Sequence, residues 1–176
     1  AEIIAINNTF TANTVGIVIR DVPDPYTPII EGNLFQGKYA NSPVVSGLVG
    51  VAIQNARSAT IGNQNMINGG NVFRDIHAGL WISNSQNIWP SEVLLYNNTF
   101  RNIHRFGILG QPNYEYGILQ DAHNRLIGSA IWAEAQQGGK LSVTVENIQN
   151  DPSLQFKHCD VGIATTNTTL TAQRLD

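Results

Sequence analysis

One phrase recurs along the chain and limits what it can fold into. An Asn stands two residues before a Phe, and a Gly opening a run of branched apolar residues follows. It reads Asn8-Thr9-Phe10 with Gly16-Ile17-Val18-Ile19, Asn33-Leu34-Phe35 with Gly50-Val51-Ala52-Ile53, and Asn71-Val72-Phe73 with Gly79-Leu80-Trp81-Ile82. It returns as Asn98-Thr99-Phe100 with Gly107-Ile108-Leu109, and in a worn form as Leu154-Gln155-Phe156 with Gly162-Ile163-Ala164. A copy without the Phe stands at Ala130-Ile131-Trp132-Ala133. The Gly-like position thus falls at 16, 50, 79, 107, 130 and 162. Self-similarity at such intervals marks a stacked repeat, in which each unit buries its apolar face against its neighbours.

Within each unit the apolar residues alternate: Ile17 and Ile19, Val51 and Ile53, Leu80 and Ile82, Ile131 and Ala133. Period-2 alternation over four or five residues predicts a short strand with one face buried. A second strand is expected before each Phe, at Ile4 and Ile6, Ile30, Val93 and Leu95, and Val143 and Val145. Such units wrap into a solenoid when each strand pairs with its equivalent one coil later. Ile17, Ile19, Val51, Ile53, Phe73, Leu80, Ile82, Phe100 and Ile108 are its expected core. The long gap between Phe35 and Gly50 and the blurred region 110–152 read as loops thrown out from the coil. The repeating Asn8, Asn33, Asn71 and Asn98, stacked about 4.8 Å apart, predict a ladder of side-chain hydrogen bonds that satisfies buried polar groups and fixes register.

Composition agrees with short strands and tight turns: the 176 residues include 20 Asn and 20 Ile, with only 13% charged residues. Ten Lys and Arg are scattered through a chain of net charge -3, which argues against a nucleic-acid partner. No apolar run approaches membrane-spanning length. The one cysteine, Cys159, excludes an internal disulfide and reads as a buried, inert thiol. The repeat is already running within six residues of Ala1, and neither end offers an obvious polar cap. Residues 1–176 are therefore expected to be a single segment of a longer protein whose coils continue beyond it.

Through the Asn-x-Phe and Gly-Ile-x-Ile repeat, the chain resembles right-handed parallel β-helix proteins of the pectate-lyase-like superfamily. Asn-Asn-Thr-Phe followed by Gly-Ile also resembles the long secreted β-helix proteins of bacterial cell surfaces. The resemblance implies an all-β, right-handed parallel β-helix of about five to six coils with loop insertions, in an extracellular or cell-surface setting.

Polysaccharide lyases on this fold use acidic residues around calcium with a basic residue as base, and the related hydrolases cluster Asp residues. That chemistry needs converging carboxylates. Asp21, Asp24 and Glu31 are close in sequence but broken up by Pro23 and Pro25, while Asp75, Asp121 and Asp160 stand singly. No catalytic residue, metal ligand or cofactor is assigned. The preferred reading is a non-catalytic stalk, adhesin or carbohydrate-binding surface, with a polysaccharide or another surface protein as partner. The alternative is part of a polysaccharide lyase or glycoside hydrolase whose catalytic coils lie outside or are incomplete here.

Phe73-Arg74-Asp75-Ile76-His77 and Phe100-Arg101-Asn102-Ile103-His104 match offset for offset, so Arg74 should lie over Arg101 and His77 over His104. Two imidazoles are too few for a tight metal site, and the pair reads first as a solvated turn. If Leu80 and Ile82 point inward, Trp81 points outward, as does Trp132, beside Val18, Ala52, Leu109 and Ala164. An outward column this apolar implies either a cover or a partner. The candidate ligand-binding set is Trp81 with Tyr114 and Tyr116 from the second loop and His77 or His104 from the adjoining turn. Loops 36–49 and 110–126 would flank it. A Trp81 shielded from solvent would instead mark the segment as a scaffold.

Overall fold

The computed structural model describes residues 3–37, 49–65, 70–85, 89–103, 129–146, 156–159 and 161–173. The first coil contains β1 (Ile4–Ile6), β2 (Thr9–Thr11) and β3 (Val15–Arg20), and the second β4 (Ile29–Glu31), β5 (Leu34–Gln36) and β6 (Val49–Gln54). The third coil runs through β7 (Ser58–Gly62), β8 (Val72–Arg74) and β9 (Ala78–Asn84), and the fourth through β10 (Ser91–Tyr96), β11 (Thr99–Ile103) and β12 (Ser129–Ala135). The fifth has β13 (Leu141–Glu146), β14 (Phe156–Cys159) and β15 (Val161–Thr166), and β16 (Thr169–Gln173) starts a sixth.

Strands of equal rank pair across coils and all in parallel. They form sheets of order β1-β4-β7-β10-β13-β16, β2-β5-β8-β11-β14 and β3-β6-β9-β12-β15. This is a parallel β-helix of five full coils and the opening strand of a sixth.

Left-handed backbone turns the corners between strands. Asn7 (φ 56°), Gly32 (φ 63°) and Asn97 (φ 55°) serve the corner after the first strand. Ala12, Asp75 and Asn102 serve the next, and Asp21, Asn55, Gln137 and Asn167 the third. Asn and Asp tolerate this region better than other side-chain-bearing residues, which accounts for Asn7, Asn55, Asn97, Asn102 and Asn167 at these corners.

Seven of the nine expected core residues, Ile19, Val51, Ile53, Phe73, Leu80, Ile82 and Phe100, are buried. Ile17 is partly buried against the same cluster, and Ile108 lies outside the described residues. In the first coil the register reverses one expectation. Ala5 pairs with buried Ile30, so Ala5 faces inward, while Ile4 and Ile6 are exposed. Alternation alone defines two faces without saying which is buried; the neighbouring coil decides.

A second correction concerns the fourth coil. β12 hydrogen-bonds directly to β9, pairing Ile131 with Leu80 and Trp132 with Trp81. The third strand of the Phe100 coil is therefore Ser129–Ala135, and Gly107-Ile108-Leu109 lies outside the described residues. The strands expected at Ile131 and Ala133 and at Val143 and Val145 are present as β12 and β13, inside the region where the phrase is blurred. Most of the expected loops at 36–49 and 110–126 lie outside the described residues.

The phrase itself has a steric cause. A Cβ on Gly50 would lie 2.5 Å from Phe73 Cδ1 and 2.7 Å from the Gly79 carbonyl oxygen. On Gly79 it would meet the Ala130 carbonyl oxygen at 2.5 Å and Phe100 Cδ1 at 2.6 Å. Each Gly leaves room for the Phe ring of the next coil, so the two residues repeat together. At Gly162 the nearest contact is an ordinary 3.7 Å to Phe156 Cδ1. Gly79→Ala should therefore cost about 1–3 kcal/mol by overpacking, whereas Gly162→Ala should stay within about 0.5 kcal/mol. Urea midpoints of the two variants check this, and equal losses would mean that the glycines serve something other than the ring.

Candidate functional site

Function on a coil of this kind must be carried by the outward positions, because the interior is filled by side chains. On the third sheet these are Val18, Ala52, Trp81, Trp132 and Ala164, in register across five strands. Trp81 is only 4% exposed and packs with Val49, Ala52 and Ala78, with Val15 and Trp132 against them. Its indole N–H donates to Glu134 Oε1 at 3.4 Å, and Glu134 is itself 4% exposed. The Trp132 Nε1 is buried and makes no hydrogen bond among the described residues. Stacking on a sugar requires an open indole face, and Trp81 does not present one. Among the expected ligand residues, Tyr114, Tyr116 and His104 lie outside the described residues.

His77 is 3% exposed in the turn between β8 and β9, so it is not part of a solvated turn. The arrangement therefore brings Trp81 together with Trp132 and Glu134. Glu134 escaped notice in the sequence, although it follows Trp132 by two residues on one strand and so must share its face.

The second sheet presents a different outward row. Gln36 pairs with Arg74, Arg74 with Arg101, and Arg101 with Lys157. Three consecutive coils thus each place one exposed cation at the same position. Neighbouring strands stand about 4.8 Å apart, so adjacent charges repel by up to about 1 kcal/mol in water. Arg74 donates to Gln36 Oε1 at 2.8 Å, a neutral partner. Neither Arg101 nor Lys157 has a side-chain partner among the described residues. The Arg74–Arg101 stacking expected from the matched offsets is present, and Lys157 extends it.

Four carboxylates among the described residues, by contrast, are tied down one at a time. Asn55 Nδ2 donates to Asp21 Oδ1 at 2.9 Å, Asn63 Nδ2 to Glu31 Oε2 at 3.0 Å, and Asn102 Nδ2 to Asp75 Oδ1 at 2.9 Å. Arg57 Nε lies 2.8 Å from Asp24 Oδ2. Among the described residues no three His, Cys, Asp or Glu side chains gather as a metal site. On the first sheet, partial burial and then the charges of Glu146 and Glu92 hold the Tyr96 phenol above its usual pKa. Cys159 is half-buried against the core, 3.8 Å from the Phe100 carbonyl oxygen.

No protein-family model, curated protein or solved structure matches the chain. What the geometry defines is a class by architecture: a parallel β-helix with an asparagine-lined corner and two unlike outer faces, one apolar and acidic, the other basic.

Proposed function

We propose that this chain is a non-catalytic segment of an extracellular or cell-surface β-helix of the pectate-lyase-like superfamily, acting as a rigid scaffold that presents its outer faces as a stalk, adhesin or carbohydrate-binding surface. The observation that carries this reading is the use made of the carboxylates. Asp21, Asp24, Glu31 and Asp75 are each engaged at a corner by an Asn or Arg. Acid–base catalysis on a sugar needs two carboxyl groups facing one bond, and residues committed singly to corners serve rigidity instead. The burial of Trp81 points the same way, since a shielded indole contributes packing. Fold alone does not decide between scaffold and enzyme, because architectures of this type host both.

A second reading has one specific observation in its favour. Glu134 lies against Trp81 and two residues from Trp132, a carboxylate in an apolar setting on the face where a lyase or hydrolase would be expected to work. Incubation with a panel of acidic and neutral glycans separates the readings. The scaffold reading expects no release of unsaturated or reducing ends. Release that disappears in Glu134→Gln would overturn it and establish the enzymatic alternative.

A further inference from the structure

We propose that the row Arg74, Arg101 and Lys157 on the outer face of the second sheet is a binding site for a linear polyanionic glycan, held along the stack axis with one anion opposite each coil. The chain is acidic overall, with ten Lys and Arg against thirteen Asp and Glu. Yet three of those ten cations stand in one line, on strands bonded directly to each other. Like charges placed side by side in a sheet repel, and sheets ordinarily oppose them with acidic residues. Here the nearest acidic residue in sequence, Asp75, is bonded instead to Asn102. Gln36 orients the Arg74 guanidinium without neutralising it. Arg101 and Lys157 are exposed and carry no ion pair among the described residues.

The geometry selects the form of the ligand. Cations on successive parallel strands make a straight row at the strand spacing, about 4.8 Å, which suits a chain with anions repeated along its length. Guanidinium groups donate to carboxylate or sulfate oxygens two at a time. The other outward column of this sheet is Thr9, Leu34, Val72 and Thr99, in register and without an aromatic residue. Single-stranded nucleic acid is held by base stacking on aromatic side chains, so this face favours a sugar backbone, with the Thr99 hydroxyl on the same strand as Arg101. The site stands apart from the scaffold proposal. Its failure would leave a scaffold, and glycan cleavage would overturn the scaffold without touching the row.

Calorimetric titration of the whole chain with heparin at several salt concentrations tests the site. Binding should weaken linearly in log–log form as salt rises. The variant Arg74→Gln/Arg101→Gln/Lys157→Gln should lose about 10- to 100-fold in affinity and show a shallower salt slope. These side chains are exposed, so circular dichroism should show the sheet content unchanged. A charge-matched control, Arg20→Gln/Arg57→Gln/Lys140→Gln, should bind heparin within about twofold of the parent. Equal loss in both variants, or no heparin binding by the parent at low salt, would overturn the proposal. Single-stranded DNA bound as tightly as heparin of equal charge would overturn the choice of glycan.

Discussion

Phe73→Ala should lower stability by about 3–5 kcal/mol, the range for emptying a fully buried aromatic site. The ring is the middle of a stack of five. Centroids of Phe10 and Phe35, Phe35 and Phe73, Phe73 and Phe100, and Phe100 and Phe156 lie 4.8, 4.8, 5.0 and 5.2 Å apart, with interplanar angles of 3–8°. Removing Phe73 withdraws contact from both neighbouring rings and opens the space that Gly50 leaves for it. The cost therefore combines lost burial with a cavity that the backbone of adjacent coils cannot close. Phe10, only partly buried at the margin of the stack, should cost less than half as much on the same change. Urea denaturation of the two variants gives the comparison. A loss below about 1 kcal/mol for Phe73→Ala would be inconsistent with a buried ring column.

Asn71→Leu should cost about 2–5 kcal/mol even though it keeps most of the volume. Asn71 Oδ1 accepts from the Asn33 backbone N–H at 3.0 Å and from Asn33 Nδ2 at 3.0 Å. Its Nδ2 donates to the Ile30 carbonyl oxygen at 2.8 Å and to Asn98 Oδ1 at 2.9 Å. Leucine would strand the Asn33 N–H and deprive the Ile30 carbonyl of a donor. Both residues are buried, and each unmet group carries a desolvation penalty of about 1–3 kcal/mol. The ladder is coupled, so Asn33→Leu added to Asn71→Leu should cost clearly less than the sum of the single changes. Strict additivity in thermal or urea unfolding would show that the asparagines act as separate turn residues, with no ladder.

These two columns were legible in the sequence because each follows from a constraint that repeats. A Phe ring needs a Gly on the preceding coil, and an unpaired corner N–H needs an Asn on the following one. Where the constraint lapses, the reading fails. Strand β7 is weakly marked in the sequence because one of its two inward residues is only an alanine, Ala59 beside Ile61. Gly107-Ile108-Leu109 follows Phe100 at nearly the interval that separates Phe73 from Gly79, and so the sequence offers it as the third strand of that coil. The actual strand begins at Ser129, and hydrogen bonding to β9 distinguishes the two. Ala5 lost to Ile4 and Ile6 because apolar character does not reveal which face of a marginal strand turns inward.

The functional faces were less legible still. That Trp81 points outward followed from alternation, but its burial depends on what surrounds it in three dimensions. Lys157 is remote from Arg101 in sequence, and only the pairing of β11 with β14 brings it into the basic row. Glu134 needed the same kind of information, since its relation to Trp81 crosses from one coil to the next.

The three sheets also set how such a body answers force. Every interstrand hydrogen bond links one coil to the next, so all of them run along the stack axis. Tension applied along that axis loads these bonds head-on, a few at a time, and coils would detach in sequence like pages pulled from a spine. Force applied across the axis instead loads the covalent backbone of each coil and leaves the bonds between coils largely unstretched. A rod of this build is stiff against crosswise load and yields by unpeeling from a free margin, where a coil has only one neighbour to hold it.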